Sequence, residues 1–242
     1  MFRKLTSRDM PVPSRKGTKL NMEHIVQRTA GNLSEDKLYS KDQTVAQGNR
    51  VVAVSADMSG SMDGTEVRLA LAAIAEATGM VGDEFLATCW RGLHRSSGGY
   101  LQRDDSVGIG LVCGVDEPFQ WEQLDAFHCS GGTPTADGID ITGQFIEDLH
   151  AREKLLIVIT DGKPNTAYSG DTHNASGNPL DDASQIVRSI RSQNIKVIGL
   201  YVGPDDVETA MAEIFGHDGF VAASMDTLAE KLIDIYRRQL QI

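Results

Sequence analysis

The chain has 242 residues, 40% of them apolar, with 23 Lys and Arg against 34 Asp and Glu. That length supplies the core of a large domain, and no apolar run reaches the length of a membrane span, so nothing in the chain is expected to cross a bilayer. The net charge of -11 disfavours nucleic acid as a partner, because such binding rests largely on neutralising phosphates.

The charge is unevenly placed, with ten Lys/Arg and five Asp/Glu in residues 1–50 and 13 against 29 in the remainder. Residues 1–20 hold Pro11, Pro13 and Gly17 without periodicity, which predicts a flexible basic arm. A short helix is expected over 22–33, so 1–37 read as a leader to a domain over 38–242. Arg3, Lys4 and Arg8 are followed by no apolar segment, hence no secretory signal is legible and a cytoplasmic location is expected.

Leu38 to Val45 is weakly strand-like. After the turn at Gln47-Gly48-Asn49 comes Val51 to Ala56, a continuous apolar run of the kind buried on both faces of a parallel sheet. It ends in Asp57-Met58-Ser59-Gly60-Ser61. Val67, Leu69, Ala70, Leu71, Ile74 and Ala77 then recur at helical spacing, with Gly79 as a stop signal. Strands are expected at Glu84 to Trp90 and at Val107 to Val115, the second with a bulge at one of its glycines. Ser130-Gly131-Gly132-Thr133-Pro134-Thr135 opens a helix through Leu149. The strand Lys154 to Thr160 ends, like the first, in an acid, Asp161-Gly162. A polar loop over 163–179 is followed by a helix from Leu180, a strand at Lys196 to Val202, a helix at Val207 to Phe215, a short strand at Gly219 to Ala222 and a final helix over 226–239. Alternation of this kind predicts an α/β fold, doubly wound, with a mostly parallel central sheet flanked by helices in a Rossmann-like three-layer arrangement.

Cys89, Cys113 and Cys129 are odd in number and widely spaced, which argues against a disulfide framework. Gly108-Ile109-Gly110 lies inside an apolar run rather than between strand and helix, and so is not a nucleotide-binding turn.

In open α/β sheets, ligands bind outside the carboxyl ends of the strands. Three segments place oxygen donors there. Asp57, Ser59 and Ser61 alternate along one loop, with Gly60 letting the backbone curl; Thr133 or Thr135 stands on the second, and Asp161 on the third. Hard oxygen donors without Cys or His match Mg²⁺, Mn²⁺ or Ca²⁺ rather than zinc or copper. Taken alone, the first loop reads better as a helix N-cap in which Ser61 or Asp63 satisfies free amides.

Taken with Gly131-Gly132-Thr133-Pro134-Thr135 and Ile159-Thr160-Asp161-Gly162, in this order, the loop resembles the metal-ion-dependent adhesion site (MIDAS) of the von Willebrand factor A family. The resemblance covers roughly residues 50–240 and is nearest to the intracellular prokaryotic branch. It implies that Ser59 and Ser61 ligate one divalent cation, Mg²⁺ first with Mn²⁺ or Ca²⁺ as alternatives. Asp57 and Asp161 would ligate it or hold its waters, and Thr133 would join when a partner supplies the missing ligand, with Thr135 capping the helix. It further implies a non-catalytic module that binds a protein partner presenting Asp or Glu, with a MoxR-type AAA+ ATPase as a candidate partner. Met62 and Gly132 beside the loops, and His173 and Asn174 in the long polar loop beyond Asp161, are candidate contacts. Leu228, Leu232, Ile235 and Tyr236, on the last helix, are the part that family members would move.

The alternative is a metal-dependent hydrolase using the same site. It lacks an evident general base near the three loops, His128 being the candidate to test. Asp57 also lacks the second acid two residues on that a phosphatase of the haloacid dehalogenase type requires, and Met58-Ser59-Gly60 lacks the first glycine of a hydrolase nucleophile elbow.

Overall fold

The computed structural model describes residues 7–14, 19–20, 39–46, 50–93, 106–115, 117–120, 122–125, 128–161, 164–166, 168–169, 176–202, 208–223, 227, 231 and 235. They fall into two compact units, Met1–Gly48 and Asn49–Ile242.

The first unit corrects the expected arm. Strands β1 (Ser7–Ser14), β2 (Lys19–Leu20) and β3 (Tyr39–Ala46) form an antiparallel sheet in the order β1-β3-β2. Pro11 and Pro13 are accommodated because β1 is an edge strand, where a missing N–H is harmless. The strand expected at Leu38 to Val45 exists, but it pairs with Ser7–Ser14, so the domain boundary falls after Gly48 and not at residue 38. The helix expected over 22–33 lies outside the described residues.

The second unit is a six-stranded sheet in the order β6-β5-β4-β7-β8-β9. Its strands are β4 (Arg50–Asp57), β5 (Glu84–Leu93), β6 (Ser106–Cys113), β7 (Glu153–Thr160), β8 (Lys196–Tyr201) and β9 (Phe220–Ala222). All neighbouring pairs are parallel except β5 with β6. Central β4 is apolar on both faces, and Val51, Val52, Ala53, Val54 and Ala56 are at most 1% exposed. Each large side chain so buried contributes ~1.5–3 kcal/mol. The sheet separates two core clusters, one around Val52, Val54, Leu71, Ile74 and Ile157, the other around Ile139, Leu156, Val158, Val187 and Phe215.

Helix α1 (Gly64–Val81) starts on Asp63, whose carboxylate accepts from Thr65 N at 2.7 Å and Glu66 N at 3.4 Å. It runs past Gly79, the expected stop, and ends at Gly82, which takes the left-handed C-cap conformation (φ 80°) and donates to Thr78 O and Gly79 O. The irregularity expected at a β6 glycine sits instead at Val112: Ala87 pairs with Cys113 and Thr88 with Leu111, leaving Val112 extra. A short helix, α2 (Glu122–Asp125), was not expected from periodicity.

On the other face lie α3 (Thr135–Glu147), α4 (Pro179–Ser192) and α5 (Glu208–Phe215). α3 packs on the sheet through a buried polar knot. Trp90 Nε1 donates to Ser55 Oγ (2.9 Å), Ser55 Oγ donates to Gly138 O (3.1 Å), and Thr142 Oγ1 lies 2.6 Å from Thr88 Oγ1. Gly138 is needed there, because a Cβ would stand 2.3 Å from the Trp90 ring. The three cysteines are free. No helix among the described residues is long and apolar enough to cross a membrane. Of the helix expected over 226–239, Thr227, Lys231 and Ile235 are described, and Ile235 is buried in the first core cluster; Leu228, Leu232 and Tyr236 lie outside the described residues.

Candidate functional site

The three loops meet at the carboxyl edge of β4 and β7, because both strands end there and run in register, Ala56 beside Ile159. Two backbone hydrogen bonds join the first loop to the second: Gly60 N donates to Gly131 O (3.1 Å) and Ser130 N to Met58 O (2.9 Å). Met58 N donates to Trp90 O and Gly92 N to Gly132 O, each at 2.9 Å, tying both loops to the end of β5.

Asp57 is fully buried. Its Oδ1 accepts from Ser59 N (2.8 Å) and its Oδ2 from Thr160 Oγ1 (2.8 Å). Ser59 Oγ lies 3.3 Å from Ser61 Oγ, and Ser61 Oγ donates to Asp161 Oδ1 at 3.1 Å. One chain of polar contacts therefore runs from Asp57 through Ser59 and Ser61 to Asp161. Capping falls to Asp63 instead, which leaves the two serine hydroxyls to each other and to Asp161.

Burial pushes the Asp57 carboxyl up from 3.8 to about 7, against the hydrogen bonds from Ser59 and Thr160 and with added repulsion from Asp161. Asp161 is also raised by burial, with the Ser61 hydrogen bond opposing. The groups acting on Asp57 are hydroxyls, an amide and another carboxylate. Below about pH 7 a proton neutralises this buried charge, and a divalent cation is the other counter-charge that would do so. Among the described residues no three His, Cys, Asp or Glu side chains come together; the Asp57 and Asp161 carboxylates and the serine hydroxyls are hard oxygen donors, the type that suits a divalent cation.

Thr133 is buried (4% exposed) on the second loop. Its backbone is held by Asn165, whose Oδ1 accepts from Thr133 N (2.7 Å) and whose N donates to Thr133 O (3.2 Å). Thr135 does not cap the helix. The N-cap position is Pro134, no side chain caps there, and Thr135 Oγ1 is buried without a hydrogen-bond partner.

Two of the candidate partner contacts are buried in this structure. Met62 is 6% exposed and packs in the first core cluster, and Gly132 is buried against the backbone of Gly92. His173 and Asn174 lie outside the described residues. His128 is exposed, and its carbonyl accepts from Arg91 Nη1 at 2.7 Å.

Sequence reading missed Thr160, Asn165 and Arg91. Thr160 was signalled by its place just before Asp161 at a strand end. Asn165 and Arg91 act through backbone or loop contacts that leave no periodic trace.

Gly131 fixes the turn of the second loop. Its φ is +83° and a Cβ would fall 1.8 Å from Gly92 O. Gly131→Ala is expected to lose more than about 2 kcal/mol of stability, combining a left-handed backbone with a clash against main chain. Urea unfolding monitored by Trp fluorescence measures it.

No family model and no curated protein sequence matches the chain. Solved structures do. The pilus adhesin SpaC from Lactobacillus rhamnosus GG is similar with TM-score 0.54 and 16% identity over 83% of this chain, which spans 31% of SpaC. The von Willebrand factor domain of the type V pili tip protein Mfa5 from Porphyromonas gingivalis gives TM-score 0.55 and 12% identity, covering 79% of this chain and 94% of the other. Proximal thread matrix protein 1 from the mussel byssus, solved with a zinc-occupied MIDAS motif, gives TM-score 0.50 and 15% identity over 78% of this chain and 47% of its own. The second unit has the von Willebrand factor A-type fold.

Proposed function

We propose that this von Willebrand factor A-type domain is a non-catalytic binding module that holds one divalent cation, Mg²⁺ first, at Asp57, Ser59, Ser61, Thr133 and Asp161 and uses it to bind a carboxylate on a protein partner. The observation that carries the reading is the contact chain from buried Asp57 through Ser59 and Ser61 to Asp161. A divalent cation supplies that chain with a counter-charge and offers an open position to an incoming Glu or Asp. Neutral serine and threonine donors leave the ion electrophilic, so metal and partner bind interdependently. The zinc-occupied MIDAS of the mussel protein supports a divalent ion in a site of this type.

The finer setting, a cytoplasmic domain serving a MoxR-type AAA+ ATPase, is supported by the motif resemblance. The pilus proteins among the structural neighbours favour a second setting, adhesion at a cell surface, with the same chemistry at the ion.

Affinity capture from the native host, with and without EDTA, tests the function. Wild type is expected to retain a partner in Mg²⁺ and release it in EDTA, and an AAA+ ATPase among the released proteins would support the first setting. An identical set of captured proteins in both conditions would sink the metal-bridge reading. Mg²⁺-dependent hydrolysis by wild type that is lost in Asp57→Asn would replace it with the hydrolase.

A further inference from the structure

A cavity of about 220 Å³ opens beside the metal loops, between Met58 and the β5–β6 ribbon. Its origin lies in the sequence of the edge strand. Gly108 and Gly110 are two residues apart on β6 and pair with Arg91 and Cys89, so one face of the ribbon carries no side chain from β6 at two successive positions. Cys89 and Met58, each 3% exposed, form its floor. Leu93, 41% exposed, and the exposed His128 form its rim together with half-buried Arg91.

The cavity shares one residue, Met58, with the Asp57 loop and is linked to the second loop by hydrogen bonds. Met58 stands between Asp57 and Ser59, and its carbonyl accepts from Ser130 N. Ser130 Oγ in turn accepts from Arg91 Nη1 at 2.7 Å. At about 220 Å³ the space is below the ~300–1,000 Å³ of small-molecule pockets and suits a single side chain. Its floor is thioether, thiol and glycine, so an apolar side chain fits best. Arg91 places a cation beside it in a unit whose charge is otherwise strongly acidic, which complements an acidic segment.

We propose that this slot is a specificity pocket, so that the preferred partner presents an Asp or Glu to the ion and, within one to three residues of it, an aliphatic or aromatic side chain to the slot. The inference rests on the metal-dependent carboxylate reading above. The slot side chain anchors the complex by burial, while the acid supplies metal dependence. Discrimination among acidic segments then comes from the neighbour of the acid, which the ion cannot sense.

The test uses capped fluorescent peptides with one Glu and Leu, Phe, Ala or Lys at each flanking position, titrated by anisotropy in Mg²⁺ and in EDTA. With the full chain, Leu or Phe at the favoured position is expected to tighten Mg²⁺-dependent binding about tenfold over Ala, the effect of burying one such side chain. Gly108→Val fills the slot from the edge strand. Its φ is not in the left-handed region, and its Cβ meets the flexible Leu93 side chain at 3.1 Å. In this variant the Leu-to-Ala ratio should fall below about twofold, with Mg²⁺ affinity by calorimetry unchanged.

Metal-dependent binding of all Glu peptides without preference among neighbours, in wild type, overturns the slot and leaves the proposed function standing. A preference that persists in Gly108→Val also overturns it. No Mg²⁺-dependent binding of any Glu peptide overturns the proposed function and the slot with it.

Discussion

Asp57→Asn is expected to lower Mg²⁺ affinity by about 100-fold or more. At an effective dielectric of ~20, a unit charge about 4 Å from another is worth ~4 kcal/mol, and among the described residues of the proposed site Asp161 is the one other carboxylate left to compensate. Asn keeps the shape and can still accept from Ser59 N, as Asp57 Oδ1 does at 2.8 Å, so the loop is preserved while the charge is lost. Thermal unfolding separates this from misfolding. Mg²⁺ at about 100 times its Kd should stabilise wild type by ~2.7 kcal/mol, roughly 5–10 °C for a chain of this size, and the variant by no more than ~0.4 kcal/mol. Without metal at pH 8, Asp57→Asn should melt at or above wild type, because it removes an ionised carboxylate that burial disfavours. Equal Mg²⁺ affinities by calorimetry would remove Asp57 from the site.

The second large effect is on pH. Since the Asp57 carboxyl is raised to about 7 in the folded chain, Mg²⁺ must displace a proton below that value, and affinity should fall about tenfold per unit between pH 7 and pH 5. Above pH 7 it should level off. The metal-free protein follows the same group with the opposite benefit. Between 3.8 and about 7 the folded state holds a proton that the unfolded chain has lost, so this group's contribution makes stability fall as pH rises through that window and flatten above it. Calorimetry in two buffers of different ionisation enthalpy reads the proton released on Mg²⁺ binding at pH 6; no release would contradict the assignment.

The fold was legible where the chain obeys a period. Val51 to Ala56 and Leu155 to Ile159 read as buried parallel strands because both faces are covered, and the two acids that end them marked the sheet edge. The first unit was not legible, since β1 pairs with a strand some thirty residues distant and carries two prolines that locally argue against a strand. Gly79 misled because an exposed helix interior tolerates a glycine; the terminus is set by the left-handed turn at Gly82. In the candidate site, Asp57, Ser59 and Ser61 are oxygen donors spaced by twos, and the structure joins them with Asp161 in one chain of contacts. The burial of Met62 was not legible, because sequence proximity to the loop says nothing about which face a side chain takes. The backbone clasp of Asn165 on Thr133 had no pattern to betray it, since that residue lies in an aperiodic polar segment.

The position of β4 has a mechanical consequence. A pull on anything gripped at the Asp57 loop travels down a strand hydrogen-bonded on both sides, through seven register pairs with β5 and seven with β7. Because those neighbours run parallel to it, tension along β4 loads the two ladders in shear, all rungs at once, instead of peeling them one after another. The Asp57 loop is thus moored to the element of this sheet that is hardest to extract by force.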